Sequence, residues 1–407
     1  DARFPVVAGN IARDGGPELP PWVIVPAEAT DAAGTRYRLQ VGLIGLAPPQ
    51  ITGWDRAVLG GAIAMQGICA AARARVPEMR AAGAELVVAL AHTGIGDTAE
   101  RDGLENAAVP LAAVDGIDAV LCGHQHRMFP GPRFDGLVHV DAEAGTIIGK
   151  PAMMPGFWGT HLGVMDLALD PAPGGGWRVG DHAIALRAAD SDGDDPAIAR
   201  TVAPAHAATL AHIRRPVGRT TAPLHSYFTL VADDAAVQLV AAAQRARAAA
   251  LLAGTEWAGL PLLSAAAPFK MGGQPGPSHY TDVPAGALTL RDLADLYLFP
   301  NTLQAVVATG AQLRDWLERA AGIYRHLRPG QADQPLRDPE FPAYNFDAIC
   351  GLSYRIDPSQ PARFTIDGQL ADPAAHRVTE LCHDGRPVAP DDRFAVATNS
   401  YRLGSSL

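Results

Sequence analysis

Apolar positions in this chain alternate between short continuous runs and helical repeats. Residues 4–9 and 37–46, the latter ending in Val41-Gly42-Leu43-Ile44-Gly45-Leu46, read as strands punctuated by glycine. Between Gly61 and Ala82, the residues Ile63, Met65, Ile68, Cys69, Ala72 and Val76 recur at helical spacing, which predicts an amphipathic helix. Residues 85–90 read as a buried strand ending in Ala91-His92-Thr93-Gly94. Residues 105–115 predict a further helix, and 118–122 a buried strand ending in Gly123-His124-Gln125-His126-Arg127. Helices alternating with strands are the grammar of a layered α/β sheet. The stretch from Lys150 to Gly163 has too much Gly and Pro for a helix and too many large apolar groups for a solvated loop. Phe157 and Trp158 within it read equally as the wall of a site and as core. Residues 164–169 and 183–187 predict an antiparallel pair around a Pro- and Gly-rich turn.

The pattern changes at the acidic turn 190–196. It is not an EF-hand, which would carry a glutamate at its twelfth position. Asp195 suits a helix cap and Pro196 a first turn, so a helix of about 20 residues is expected towards Arg215-Pro216. The expected organisation is a first domain at 1–194, a linker helix at 195–216 and a second domain at 217–407. In the second domain an Ala-rich helix follows Asp233-Asp234 and runs through Leu252, and a strand at 260–270 ends in Lys270. Helices are expected at 289–297 and 309–321, and a last strand at 394–401.

The totals agree with two domains: 407 residues exceed one ordinary core, and 48% hydrophobic with 19% charged residues describes a globular chain. No uninterrupted apolar run of about 18 residues predicts a membrane-spanning helix. A net charge of −10 and a pI near 5.7 argue against a nucleic-acid polymer as partner. A small anion stays compatible, because a metal or a few cationic side chains override net charge locally. Only Lys150 and Lys270 are lysines among the 33 basic residues, in keeping with a compositional bias towards arginine. Cys69, Cys122, Cys350 and Cys382 lie far apart with no Cys-x-x-Cys, so neither a disulfide framework nor a zinc knuckle is read. The chain opens at Asp1 on a strand-like run without Met or signal-peptide pattern and stops abruptly at Gly404-Ser405-Ser406-Leu407, which reads as a fragment.

Candidate chemistry sits at the strand ends. Ligands of α/β sheets bind beyond the carboxyl ends of strands, and imidazoles there, beside a glycine that lets the backbone turn, suit a divalent metal. His124-x-His126 alone reads as readily as two surface-loop histidines. If the strands at 85–90 and 118–122 are neighbours, His92 joins them on one edge and a metal cluster becomes the better reading.

Taken together, Ala91-His92-Thr93-Gly94, Gly123-His124-Gln125-His126-Arg127, the run Lys150 to Gly163, Ser226-Tyr227-Phe228, Ala267-Pro268-Phe269-Lys270, Leu298-Phe299-Pro300-Asn301-Thr302, Tyr344-Asn345-Phe346-Asp347 and Ala397-Thr398-Asn399-Ser400-Tyr401 stand in one order along the chain. That series resembles the bacterial 2′,3′-cyclic-nucleotide 2′-phosphodiesterase/3′-nucleotidases, in the 5′-nucleotidase branch of the calcineurin-like metallophosphoesterases. The resemblance implies a layered-sheet metallophosphoesterase domain, incomplete at its amino end, plus a smaller α/β nucleotide-binding domain joined by a linker helix. It implies two divalent metals (Zn, Mn or Co), with His92 and His124 on one and His126 on the other. Such a pair, ~3.5–4 Å apart, would stabilise attacking and leaving oxygens. It also implies that Phe299 and Tyr401 sandwich a base, that Asn301 bonds the base edge, and that Lys270 sits near ribose or phosphate.

Arg127, His161 and Tyr344 are weaker candidates: Arg127 reads equally as a structural ion pair, and Tyr344 with Phe346 reads better as core. The motifs Asp-x-His, Gly-Asp-x-x-Gln-Gly and Gly-Asn-His-Glu are absent, and the glycine-rich stretch expected after Tyr401 is replaced by Leu403-Gly404-Ser405-Ser406. The implied bridging aspartate, asparagine ligand and catalytic histidine are therefore not in this chain. The expected activity is hydrolysis of 2′,3′-cyclic nucleotides and then of 3′-nucleotides, with a periplasmic monomer implied and no membrane partner. Its rivals are a 5′-nucleotidase or UDP-sugar hydrolase, and a non-catalytic nucleotide-binding module.

Overall fold

The computed structural model describes residues 3–13, 19–96, 98–173, 175–189, 193–272, 276, 278–366 and 368–404, and divides into two compact units, Asp1–Asp194 and Asp195–Leu407. The termini at Asp1 and at Ser405 to Leu407, and residues 190–192 of the acidic turn, lie outside the described residues.

The first unit is built on an eight-stranded sheet. Its centre is four parallel strands in the order Arg36–Leu46, Leu86–Ala91, Ala119–Cys122 and Lys150–Pro155. Val87, Ala89, Ala91 and Val120 are buried, while Val88, Leu90 and Leu121, which alternate with them, are half-buried. Helix Ile68–Ala81 packs on Arg36–Leu46 and helix Ala108–Ala112 on Ala119–Cys122. Ile44, Val87, Ala89, Val120 and Met154 are buried in the resulting core. Trp22–Thr30 adds an antiparallel edge strand along Arg36–Leu46 that the sequence pattern did not single out.

Three expectations change. Residues 4–9 are not a strand, although Gly9 donates to the Gly45 carbonyl at 2.6 Å; the strand there is Ile11–Arg13. The helix expected from Gly61 starts only at Ile68, and Ile63–Met65 instead pairs antiparallel with Ile11–Arg13. Gly60 and Gly61 both take left-handed φ, which a helix cannot continue through, and so Ile63 and Met65 are released to a strand. The stretch from Lys150 is a true strand to Pro155, followed by a turn and the long hairpin of His161–Pro171 with Trp177–Ala188.

The second unit opens on helix Pro196–Ile213, where Asp195 Oδ1 accepts from the N–H groups of Ala197 and Ile198. Its central sheet runs Leu303–Thr309, Arg393–Asn399, Leu262–Ala266 and Ala348–Cys350. Helix Ala235–Leu252 packs on this sheet, as does helix Gly310–Ala320, which starts on a Thr309/Gln312 capping box. Leu263, Leu313, Leu317, Ile349 and Val396 fill the core between them.

Candidate functional site

In the first unit two strand ends meet. Ala91 and Cys122 are paired in register on adjacent parallel strands, so the residues after them, His92 and Gly123-His124, leave the sheet side by side. The rings of His92 and His124 lie 5.3 Å apart, edge to face. Gly123 makes this approach possible: a Cβ there would stand 3.3 Å from His92 Nδ1, tighter than nearly all real contacts. His124 and His126 have φ of 69° and 55°. Left-handed backbone at two non-glycine residues stores strain, and such outliers gather where geometry serves a site.

Hydrogen bonds knit three segments into one floor. Thr93, fully buried, donates its hydroxyl to the Glu105 carbonyl at 2.6 Å and accepts from the Ala107 N–H at 2.8 Å. Gln125, between the two histidines, crosses to accept from the Ile95 N–H at 2.9 Å. Glu105 Oε1 lies 2.7 Å from His124 Nε2. Asn10 does related work below: its side-chain amide donates to the Ala47 and Gln66 carbonyls and accepts from the Ala47 N–H.

Aromatic rings stand over the imidazoles. Trp54 stacks on His124 at 5.4 Å with 16° between planes, and Phe157 stacks on His126 at 5.5 Å. Phe157 and Trp158 are therefore not core; Trp158 is 72% exposed and packs edge-on to Phe157. The turn holding them is tied to the histidine loop by the Gly156 N–H to the Arg127 carbonyl. His161, at the far end of that turn, has its Nδ1 3.1 Å from the Thr160 hydroxyl.

Burial pushes the His92 pKa down, and the neighbouring His124 and His126 add to it; His126 is lowered by burial and by His124. Imidazoles kept neutral present lone pairs, the form a metal takes. Burial raises the Cys122 thiol to about 12 and packs it into the core of the first unit. The donor chemistry thus fits a divalent metal. The full cluster expected from sequence is not preformed, however: among the described residues no group of three or more His, Cys, Asp or Glu side chains is arranged around one metal position. Each ring answers to its own neighbour, His124 to Glu105 and Trp54, and His126 to Phe157.

The second unit gathers the other candidates at one end of its sheet. Leu303 pairs with Asn399, and beyond that pair Thr302 and Ser400 exchange two hydrogen bonds, bringing the Phe299–Asn301 loop beside Tyr401. Phe299 is 47% exposed and meets Phe269 edge-on, as Tyr401 meets Tyr344. Tyr344 is exposed, against the core reading, while Phe346 is buried as expected. The Asn301 amide lies 3.4 Å from the Tyr297 hydroxyl. Lys270 forms an ion pair with Asp295. Beneath Tyr401, the guanidinium of Arg402 pairs with buried Asp347 and donates to the Tyr344 carbonyl at 2.7 Å. Burial holds the Asp347 carboxyl above the usual range, in spite of Arg402 and the Trp316 N–H.

With this geometry in place, the kin are decisive. The sequence model of the 5′-nucleotidase, C-terminal domain, matches residues 216–406. The 2′,3′-cyclic-nucleotide 2′-phosphodiesterase/3′-nucleotidase of Haemophilus influenzae is 42% identical over 98% of this chain and 63% of its own length. Residues 216–406 thus match a 5′-nucleotidase C-terminal domain, and nearly the whole chain is similar to that Haemophilus enzyme.

The trifunctional nucleotide phosphoesterase protein YfkN of Bacillus subtilis is 40% identical over 98% of this chain and 28% of its own length. The chain therefore spans less than two thirds of these phosphoesterase relatives. A Staphylococcus aureus protein provisionally named a 5′-nucleotidase shares the fold, with a TM-score of 0.63 at 18% identity over 99% of this chain and 69% of that one. Sequence reasoning missed Trp54, Glu105 and Arg402. Each touches a candidate from a separate segment, and nothing in its local pattern marks it.

Proposed function

We propose that the protein carrying this chain hydrolyses 2′,3′-cyclic nucleotides and then 3′-nucleotides. In the first step water adds to phosphorus and the P–O2′ bond breaks, leaving the 3′-nucleotide; in the second, water releases phosphate and the nucleoside. The observation that supports this most is His92 and His124 leaving adjacent parallel strands together, with His126 two residues on, in a chain 42% identical to a named enzyme of that activity.

In this reading His92, His124 and His126 would contribute to holding two divalent metals, Zn, Mn or Co. The metals when bound would act as Lewis acids on the phosphoryl group. Phe299 and Tyr401 clasp the base, a role that suits exposed rings at one sheet end. Asn301 bonds the base edge, and Lys270, released from Asp295, meets ribose or phosphate. Arg127, His161 and Tyr344 are secondary candidates. Among the described residues no helix is long and apolar enough to cross a membrane; a periplasmic monomer is our proposal from kinship, checked by fractionation and light scattering.

Comparing turnover of 2′,3′-cyclic AMP, 3′-AMP and 5′-AMP by the full-length protein tests the reading. Preference for 5′-AMP would make it a 5′-nucleotidase. Adenosine binding without metal-dependent hydrolysis would make it a nucleotide-binding module.

A further inference from the structure

Glu105 belongs to no motif, yet it is the residue that settles which atom of His124 is free. Its Oε1 stands 2.7 Å from His124 Nε2, and its side chain is 41% exposed against 18% for the histidine. A carboxylate accepts only, so Nε2 carries the hydrogen and donates it, leaving the Nδ1 lone pair. Two further contacts fix the plane of the ring: Trp54 is stacked on it, and His92 meets it edge to face. Glu105 is held in turn, because its carbonyl accepts from the buried Thr93 hydroxyl, one residue after His92. One chain of contacts therefore runs from the His92 turn through Thr93 and Glu105 to the His124 ring.

We infer that Glu105 is a positioning residue for the metal centre, holding His124 so that Nδ1 is the coordinating atom. This rests on the metal-site reading above. Carboxylates that orient a ligating imidazole through its other nitrogen set both its orientation and its basicity.

The test uses the full-length protein, stripped of metal and titrated with Mn²⁺ alone by calorimetry, and an anomalous-scattering map of the Mn²⁺-loaded crystal. Glu105→Ala is expected to weaken Mn²⁺ binding by about 10–100-fold. Glu105→Gln keeps an acceptor oxygen and should recover most of that loss. The map should put manganese nearest His124 Nδ1. Equal affinity in Glu105→Ala and the unsubstituted protein, or manganese on Nε2 with Glu105 displaced, overturns the assignment while leaving the metal site standing. If the unsubstituted protein takes up no Mn²⁺, the metal-site reading fails and this inference with it. The partly exposed position of Glu105 leaves the fold intact in either variant, which a thermal melt verifies.

Discussion

Gly94→Ala is the sharpest probe of how the two histidine turns are joined. A Cβ at Gly94 would lie closer than 3.0 Å to Asn106 Oδ1 and to Cδ and Cγ of Gln125, a spacing real side chains do not show. Gln125 is the group that can move, and moving it breaks its bond from the Ile95 N–H. Ile95 is buried, so that N–H is left without a partner at a cost of about 1–3 kcal/mol. Residual overpacking adds about 1–3 kcal/mol, and the lost glycine entropy of the unfolded chain returns about 0.4–1 kcal/mol. The expected net loss is about 2–4 kcal/mol. For a unit of this size each kcal/mol moves the melting temperature by about 2–4 °C, so calorimetry should show a drop of roughly 4–16 °C in the transition of the first unit. Gln125 also stands between His124 and His126, and metal affinity should fall alongside. The double variant Gly94→Ala/Gln125→Ala should be less destabilised than the two single changes summed, because the part of the clash made with Gln125 Cγ and Cδ is then relieved. A melting temperature within 2 °C of the parent, or strict additivity, would refute the argument.

Other outcomes follow from the same geometry. Trp54 stacks on His124, so Co²⁺ binding should quench tryptophan fluorescence, and Trp54→Phe should remove most of that quench; an unchanged quench places the metal elsewhere. Tyr401→Ala should weaken adenosine binding measured by calorimetry by about 1–3 kcal/mol, the worth of one base stack, with no change in Mn²⁺ affinity. Arg402→Met strips the partner from buried Asp347 and should cost the second unit about 3–5 kcal/mol in urea unfolding, whereas an exposed pair would cost under about 1 kcal/mol.

Legibility differed by kind of residue. The parallel strands could be read because short apolar runs bounded by glycine mark strands that enter the core, and the helix entry at Asp195-Pro196 because capping is a local matter of one side chain and its own backbone. His92, His124 and His126 were legible for a related reason: a histidine close to a glycine just past an apolar strand stands at the strand's carboxyl end. The start of the helix at Ile68 was misjudged because Ile63 and Met65 fit a helical repeat as well as a strand, and only the partner strand Ile11–Arg13 decides between them.

By itself, then, the sequence determined the α/β class, the capped helices and the strand-end histidines, all of which depend on neighbours within a few residues. Only the tertiary structure decided that Phe157 leaves the core to cover His126, that Trp54 and Glu105 hold His124 from two sides, and that Arg402 anchors the Tyr401 turn on Asp347. Those contacts join residues 19 to 70 positions apart, at single points without periodicity. A pattern along the chain records which face is buried; which side chain arrives from the far segment is fixed by sheet order and turn geometry.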